Sequence, residues 1–205
     1  TVERNLAGAP NEIVTLKQAR RIEPSLSERP VLVSHCPLDG WVPSNLAGHA
    51  LGRALRRADV EVREGVSVEG IERGGTGYIL DTGREAVAAA RIVLAGGAWL
   101  VLMARWLGFD LPLGCLVNQI IVTERMAPFL GSTIGVARRR LTLKQAANGT
   151  VLIGGGWQGD GDPQRGAVAL IPKNLRGNIR LARHCVPALD GARAVRVWLG
   201  PQDKS

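Results

Sequence analysis

The chain has 205 residues, enough for one large domain or two small ones, and its 45% hydrophobic and 21% charged content is that of a globular protein. The net charge of +8 would suit an anionic partner, but the basic residues are dispersed apart from Arg56-Arg57 and Arg138-Arg139-Arg140. No aromatic residues interleave with them as a nucleic-acid platform requires, so nucleic-acid binding is not expected.

No apolar run approaches the ~18 residues that span a bilayer. The longest candidate, Ala86 to Leu102, is broken by Arg91, Gly96 and Gly97. Cys36, Cys115 and Cys185 are widely spaced with no CxxC, which argues against a disulfide framework or a zinc site and for a cytoplasmic protein. The start, Thr1-Val2-Glu3-Arg4, has neither an initiator methionine nor an apolar signal, and a piece of a longer protein is expected.

In chain order, Glu12 to Ile22 reads as a helix, with Thr15 as a plausible N-cap and Pro24 as the stop. Pro30 to Trp41 reads as extended. Ser44 caps a second helix over Asn45–Ala58, with Leu46, Ala50, Ala54 and Leu55 on its apolar face and Arg53, Arg56 and Arg57 opposite. Strands are expected at Val60–Arg63, Val66–Glu72 and Tyr78–Thr82, with Gly74-Gly75-Thr76-Gly77 as the turn between the last two. An apolar strand, Ile92–Ala95, then runs into Gly96-Gly97 and a helix from Ala98 to Leu107. Such a junction lets backbone approach a ligand closely.

The second half differs. Leu116–Thr123 is a long apolar strand, and Leu141–Ala146 turns at Asn148-Gly149 into Val151–Gly154, a hairpin. Gly159–Gly166 is a polar loop, Pro172–Cys185 a helix with Leu175, Ile179 and Ala182 on one side, and Ala192–Leu199 a last strand. The fold class is therefore α+β. No GxSxG, HExxH or phosphate-binding GxxxxGK[ST] occurs, and no paired carboxylates suggest acid–base work. Gly154-Gly155-Gly156-Trp157 is read as not fitting GxGxxG and as not clearly followed by a helix.

The order of these elements, with Gly40-Trp41-Val42-Pro43, Leu107-Gly108, Leu111-Pro112-Leu113, Gln119 to Glu124, Lys144 to Trp157 and Arg196-Val197-Trp198-Leu199-Gly200, resembles the D-amino-acid oxidase-like flavoenzymes. These include glycine oxidase, the sarcosine oxidase β subunits and the opine oxidases. The resemblance implies a partial FAD-binding domain over 41–110 of α/β character. It also implies an antiparallel-sheet substrate domain with helices over 111–205, begun at 1–40. It places Val68, Ala95, Gly96, Gly97 and Trp99 at the FAD and Lys144, Gln145 and Trp157 on the substrate surface. No catalytic residue and no metal are implied.

The departures from that pattern also carry expectations. The family's N-terminal GxGxxG unit and its C-terminal segment have no counterpart here, nor does the arginine that some relatives place after "W-x-G". Leu38 stands where some relatives attach flavin through histidine, so no covalent link is expected, although His35 is close by. The resemblance implies a parent oxidase or dehydrogenase of small amines or amino acids, with weak or no FAD binding and no turnover by these residues alone. The alternatives are a cofactor-free subunit that binds a partner or forms a homo-oligomer, and a basic protein for an anionic ligand.

Overall fold

A computed structural model describes residues 5–137 and 141–204. The run Arg138-Arg139-Arg140 lies outside the described residues. The described residues divide into two compact units: those within 1–43, 118–160 and 169–200 form the first, and those within 44–117, 161–168 and 201–205 the second. Its class is α+β, with sheets that pair antiparallel wherever register is defined.

The first unit opens with β1 (Glu12–Val14) and α1 (Leu16–Ile22). The single helix expected over Glu12–Ile22 is thus divided. Thr15 has extended backbone and forms a capping box with Gln18, so the helix can only begin after it. Glu12, Ile13 and Val14 pair instead with His35, Ser34 and Val33 of β2 (Val33–His35), the short paired part of the extended stretch 30–41.

The main sheet holds β6 (Gly114–Arg125), β7 (Ile134–Val136), β8 (Leu141–Gln145), β9 (Thr150–Gly154) and β12 (Ala194–Lys204), in the order β12-β6-β9-β8-β7. Alternate residues of β6 are buried: Val117, Gln119, Ile121 and Thr123. Between Val122 and Arg125 the register with β9 shifts, and the Thr123 hydroxyl accepts the Val151 N–H at 2.9 Å in place of a ladder carbonyl.

Helix α4 (Pro172–Cys185) covers this sheet, with Leu181, Ala182 and Cys185 packed on Ile121, Leu141, Leu143, Val151 and Ile153. Proline at its first turn needs no N–H partner. Burial pushes the Cys185 thiol up from its ordinary pKa, since the thiolate is poorly solvated there. Cys36 and Cys115 are half-buried. In native protein, iodoacetamide is therefore expected to modify Cys36 and Cys115 well before Cys185, as read by peptide mass. Equal rates at all three would contradict this packing.

In the second unit, α2 (Ser44–Arg57) buries none of its side chains. A three-stranded antiparallel sheet follows: β3 (Gly70–Gly74), β4 (Gly77–Asp81) and β5 (Ala86–Ala89). Gly75 in the β3–β4 turn has φ +50, and a Cβ at Gly77 would stand 2.4 Å from the Ala89 carbonyl oxygen. Sequence periodicity missed β5, whose alanine-rich strand is held by its register with Tyr78 to Asp81.

Two expected strands, Val60–Arg63 and Ile92–Ala95, are not strands among the described residues, because neither has a neighbour to complete a ladder. The strand expected from Val66 starts at Gly70, although the Glu69 N–H still donates to Asp81 O. After Ile92–Ala95 comes a 3₁₀ turn, Gly97–Trp99, and α3 (Leu100–Trp106), whose Val101 and Ala104 are buried. Gly108, at φ +79, ends α3 in a Schellman arrangement: Phe109 N–H donates to Ala104 O and Gly108 N–H to Arg105 O. The segment expected as a plain loop, 159–166, contains β10 (Asp160–Asp162), which pairs with β11 (Ala167–Ala169).

Candidate functional site

The sequence-predicted residues divide between the two units, Lys144, Gln145 and Trp157 in the first and the others in the second. In the second unit, Val68 is half-buried immediately before the β3–β4 ladder. Ala95 and Gly97 are exposed, Gly96 is half-buried, and Trp99 is 44% exposed.

The two glycines do different work. Gly96 has φ −79, and a Cβ there would lie 2.5 Å from Met103 Sδ, so its missing side chain makes room for α3. Gly97 has φ +52 with nothing within 4 Å of a built Cβ. Its backbone is open to the outside, and its conformation is one that other residues reach only with strain. Gly97→Ala is accordingly expected to lower stability by about 1 kcal/mol, read as a shift of the urea midpoint at constant slope. No shift would mean that the left-handed conformation is not needed.

Gln164 supports the turn from below: its Nε2 donates to Ala98 O at 3.0 Å, while Asp162 Oδ1 accepts from its backbone N–H at 2.9 Å. Nothing in the sequence signals this residue, because 66 positions separate it from Ala98.

In the first unit, the Lys144 ammonium lies 4.9 Å from the centre of the Trp41 ring, a cation–π contact. Gln145 is occupied by the chain around it. Its Oε1 accepts from Phe129 and Leu130 N–H at 2.9 and 3.1 Å, and its Nε2 donates to Ala127 and Gly149 carbonyls at 3.1 Å each. Gln145 thereby shapes the segment 126–130 through its amide.

Trp157 is half-buried against α4, where a Cβ on Gly177 would meet its indole at 2.9 Å. Its backbone is clamped by two fully buried amides. Asn178 Oδ1 accepts the Trp157 N–H at 2.9 Å, and Gln119 Nε2 donates to Trp157 O and Gln158 O at 3.2 and 3.1 Å. Gln119 was visible in sequence only as part of a run; Asn178 gave no signal beyond a polar residue on the apolar side of a helix. Gly154, Gly156 and Gly159 stand at GxGxxG spacing, but β9 leads to β10 here and not to a helix. The motif's ligand geometry therefore has no basis at this place.

The pKa shifts caused by charged partners fall on none of the sequence-predicted site residues. The Arg193 guanidinium holds the Glu124 carboxyl below its ordinary pKa through a 2.7 Å hydrogen bond, and Glu61 and Glu85 raise Arg63. Among the described residues, no three His, Cys, Asp or Glu side chains gather as a metal site would need, and no helix is long and apolar enough to cross a membrane.

Ala95 and Gly97 are exposed, and Gly97 has open space where a Cβ would stand. The sequence model of a family described as "FAD dependent oxidoreductase" matches residues 2–204. An opine oxidase subunit from Rhizobium meliloti is 27% identical over 92% of this chain and 48% of its own length. Glycine oxidase of Geobacillus kaustophilus is 25% identical over 94% of this chain and 50% of its own. Among solved structures, L-proline dehydrogenase from P. horikoshii superposes with a TM-score of 0.87 at 20% identity, covering 98% of this chain and 55% of that one. The chain spans about half the length of the curated relatives it matches.

Proposed function

Because the chain belongs to the FAD-dependent oxidoreductase family, we propose that the protein of which it forms part oxidises an amino acid or secondary amine. Support comes from relatives matched over more than nine-tenths of this chain and named as oxidases of opines and glycine. Bound FAD would supply the hydride acceptor for oxidation at the substrate carbon next to nitrogen.

This chain's part is to bind and orient. The main chain of Val68 and of Ala95 and Gly97 holds the dinucleotide, Gly96 gives α3 its close seat, and Trp99 flanks the turn. Lys144 and Trp157 face substrate in the other unit, with Gln145 shaping the neighbouring segment. No acid–base pair is required of the protein.

Residues 1–205 by themselves bind FAD weakly or not at all and do not turn over, since among the described residues no GxGxxG turn opens a helix toward a pyrophosphate. A cytoplasmic protein working with a partner subunit accords with relatives that are named as subunits.

Two measurements test this. The natural-length protein, loaded with FAD and mixed anaerobically with glycine, sarcosine, proline or an opine, is expected to lose its oxidised flavin absorbance with at least one of them. Bleaching by none of these, with flavin bound, would sink the amine assignment. A fluorescence titration in which residues 1–205 take up FAD tightly and stoichiometrically would overturn the claim of weak binding.

A further inference from the structure

Residues 161–168 stand in sequence between two stretches of the first unit, 118–160 and 169–200, yet they belong to the second unit together with the turn at 96–99. They carry the tip of the hairpin of β10 and β11, joined by a 3₁₀ turn over Pro163–Arg165. The tip is tightly built. A Cβ at Gly161 would collide with the Ala167 carbonyl oxygen. Asp162 Oδ1 caps the turn by accepting the Gln164 N–H at 2.9 Å, and the Gly166 N–H closes it by donating to Pro163 O at 3.3 Å.

The half-buried Gln164 side chain adds no hydrogen bond to this tip among the described residues. Its Nε2 donates instead to Ala98 O at 3.0 Å, so a fixed hairpin backbone holds the peptide that follows Gly97. Gly96 and Gly97 give that hold its purpose. Glycine admits both signs of φ at similar cost, so two glycines in a row do not by themselves keep one shape. The turn's own bond is from the Trp99 N–H to Gly96 O at 3.1 Å, and the Ala98 carbonyl shares a rigid plane with that N–H. Anchoring the Ala98 carbonyl therefore fixes the plane and, through it, the conformation at Gly97.

We propose that Gln164 is a positioning residue for the cofactor: it holds the 96–99 turn in the shape in which the main chain of Ala95 and Gly97 receives the dinucleotide. This rests on the reading that the 95–97 backbone meets FAD, and adds the residue that keeps it ready. A turn already in its binding shape loses less conformational freedom on binding, and affinity rises accordingly.

The test uses the natural-length protein, stripped of flavin and titrated with FAD by fluorescence. Gln164→Leu keeps the bulk of the side chain and removes the donor, and is expected to raise the Kd for FAD about 10-fold. Gln164→Glu keeps the shape but turns a carboxylate toward the Ala98 carbonyl at about pH 8, and is expected to raise it at least as much. A role confined to holding the fold would lower the unfolding midpoint of the apoprotein and leave the rise of that midpoint on adding FAD unchanged. Positioning makes that rise smaller in both variants. Amide hydrogen exchange on the wild type needs no variant to fold. With FAD bound, exchange is expected to slow by about 10-fold or more at Trp99 and also at Gln164 and Gly166 on the hairpin tip.

Equal FAD affinity in wild type and both variants would overturn the inference while leaving flavin binding in place. An unchanged rise of the midpoint would do the same, as would exchange that slows at Trp99 and not at the tip, or at neither. A natural-length wild type that takes up no FAD would sink the flavin reading itself, and this inference with it.

Discussion

Glu23→Ala is expected to destabilise the first unit by about 3 kcal/mol, measured as a lowered urea midpoint. Glu23 is the C-cap of α1 and only 5% exposed. One carboxylate oxygen accepts the backbone N–H groups of Gly131 and Ser132 at 2.9 and 2.8 Å, and the other accepts from the Ser25 hydroxyl at 2.5 Å. The loop at 131–132 has no sheet ladder to satisfy those two donors, so removing the anion leaves them facing a cavity. Each lost charge-assisted bond is worth roughly 1.5–3 kcal/mol, and each donor left unpaired adds a desolvation cost. Glu23→Gln keeps an acceptor oxygen but presents an amide to the same donors, and is expected to lie between the two. A loss of less than about 1 kcal/mol for Glu23→Ala would show that water replaces the carboxylate without penalty.

Gln119→Leu is expected to cost about 3 kcal/mol as well, and to loosen the segment after β9. The side chain is fully buried and makes three bonds, two to the carbonyls of Trp157 and Gln158 and one from the N–H of Ile171 at 2.8 Å. The carbonyls keep second partners, Asn178 Nδ2 for Trp157 and Asn174 Nδ2 for Gln158. The Ile171 N–H loses the acceptor it has in this bond, so the penalty falls mainly there, just ahead of α4.

Asn178→Leu removes the acceptor of the Trp157 N–H and is expected to cost a similar amount. The double replacement should cost more than the sum by about 1 kcal/mol, because the Trp157 carbonyl, which keeps one donor in either single variant, then loses both. Hydrogen exchange at Trp157 is the second readout, and should quicken in each variant. Strict additivity with unchanged exchange at Trp157 would show that the two amides act separately and do not form a clamp. In the natural-length protein, the same variants displace the residue proposed to face substrate. A change in KM with little change in kcat would then distinguish positioning from chemistry.

The legibility of this fold varied with the range of the forces involved. Helix α4, the hairpin of β8 and β9, the glycine turn before β4 and the Thr15 cap were all readable, because each is set by neighbours within a few residues. Family membership was also readable, from short runs spread in order along the chain.

Other features depended on contacts far apart in sequence. The bonds between Gln145 and the 126–130 segment were not legible, because they join residues 15 to 19 positions apart that meet only on folding. Gly96 and Gly97 look alike in sequence, and only the position of Met103 and the sign of φ separate a packing glycine from a conformational one. The same holds for Ile92–Ala95, whose residues have the pattern of a strand. A pattern of side chains fixes which faces are apolar, but backbone pairing needs a partner with free N–H and C=O groups at the right spacing, and that is settled only when the chain is brought together in three dimensions.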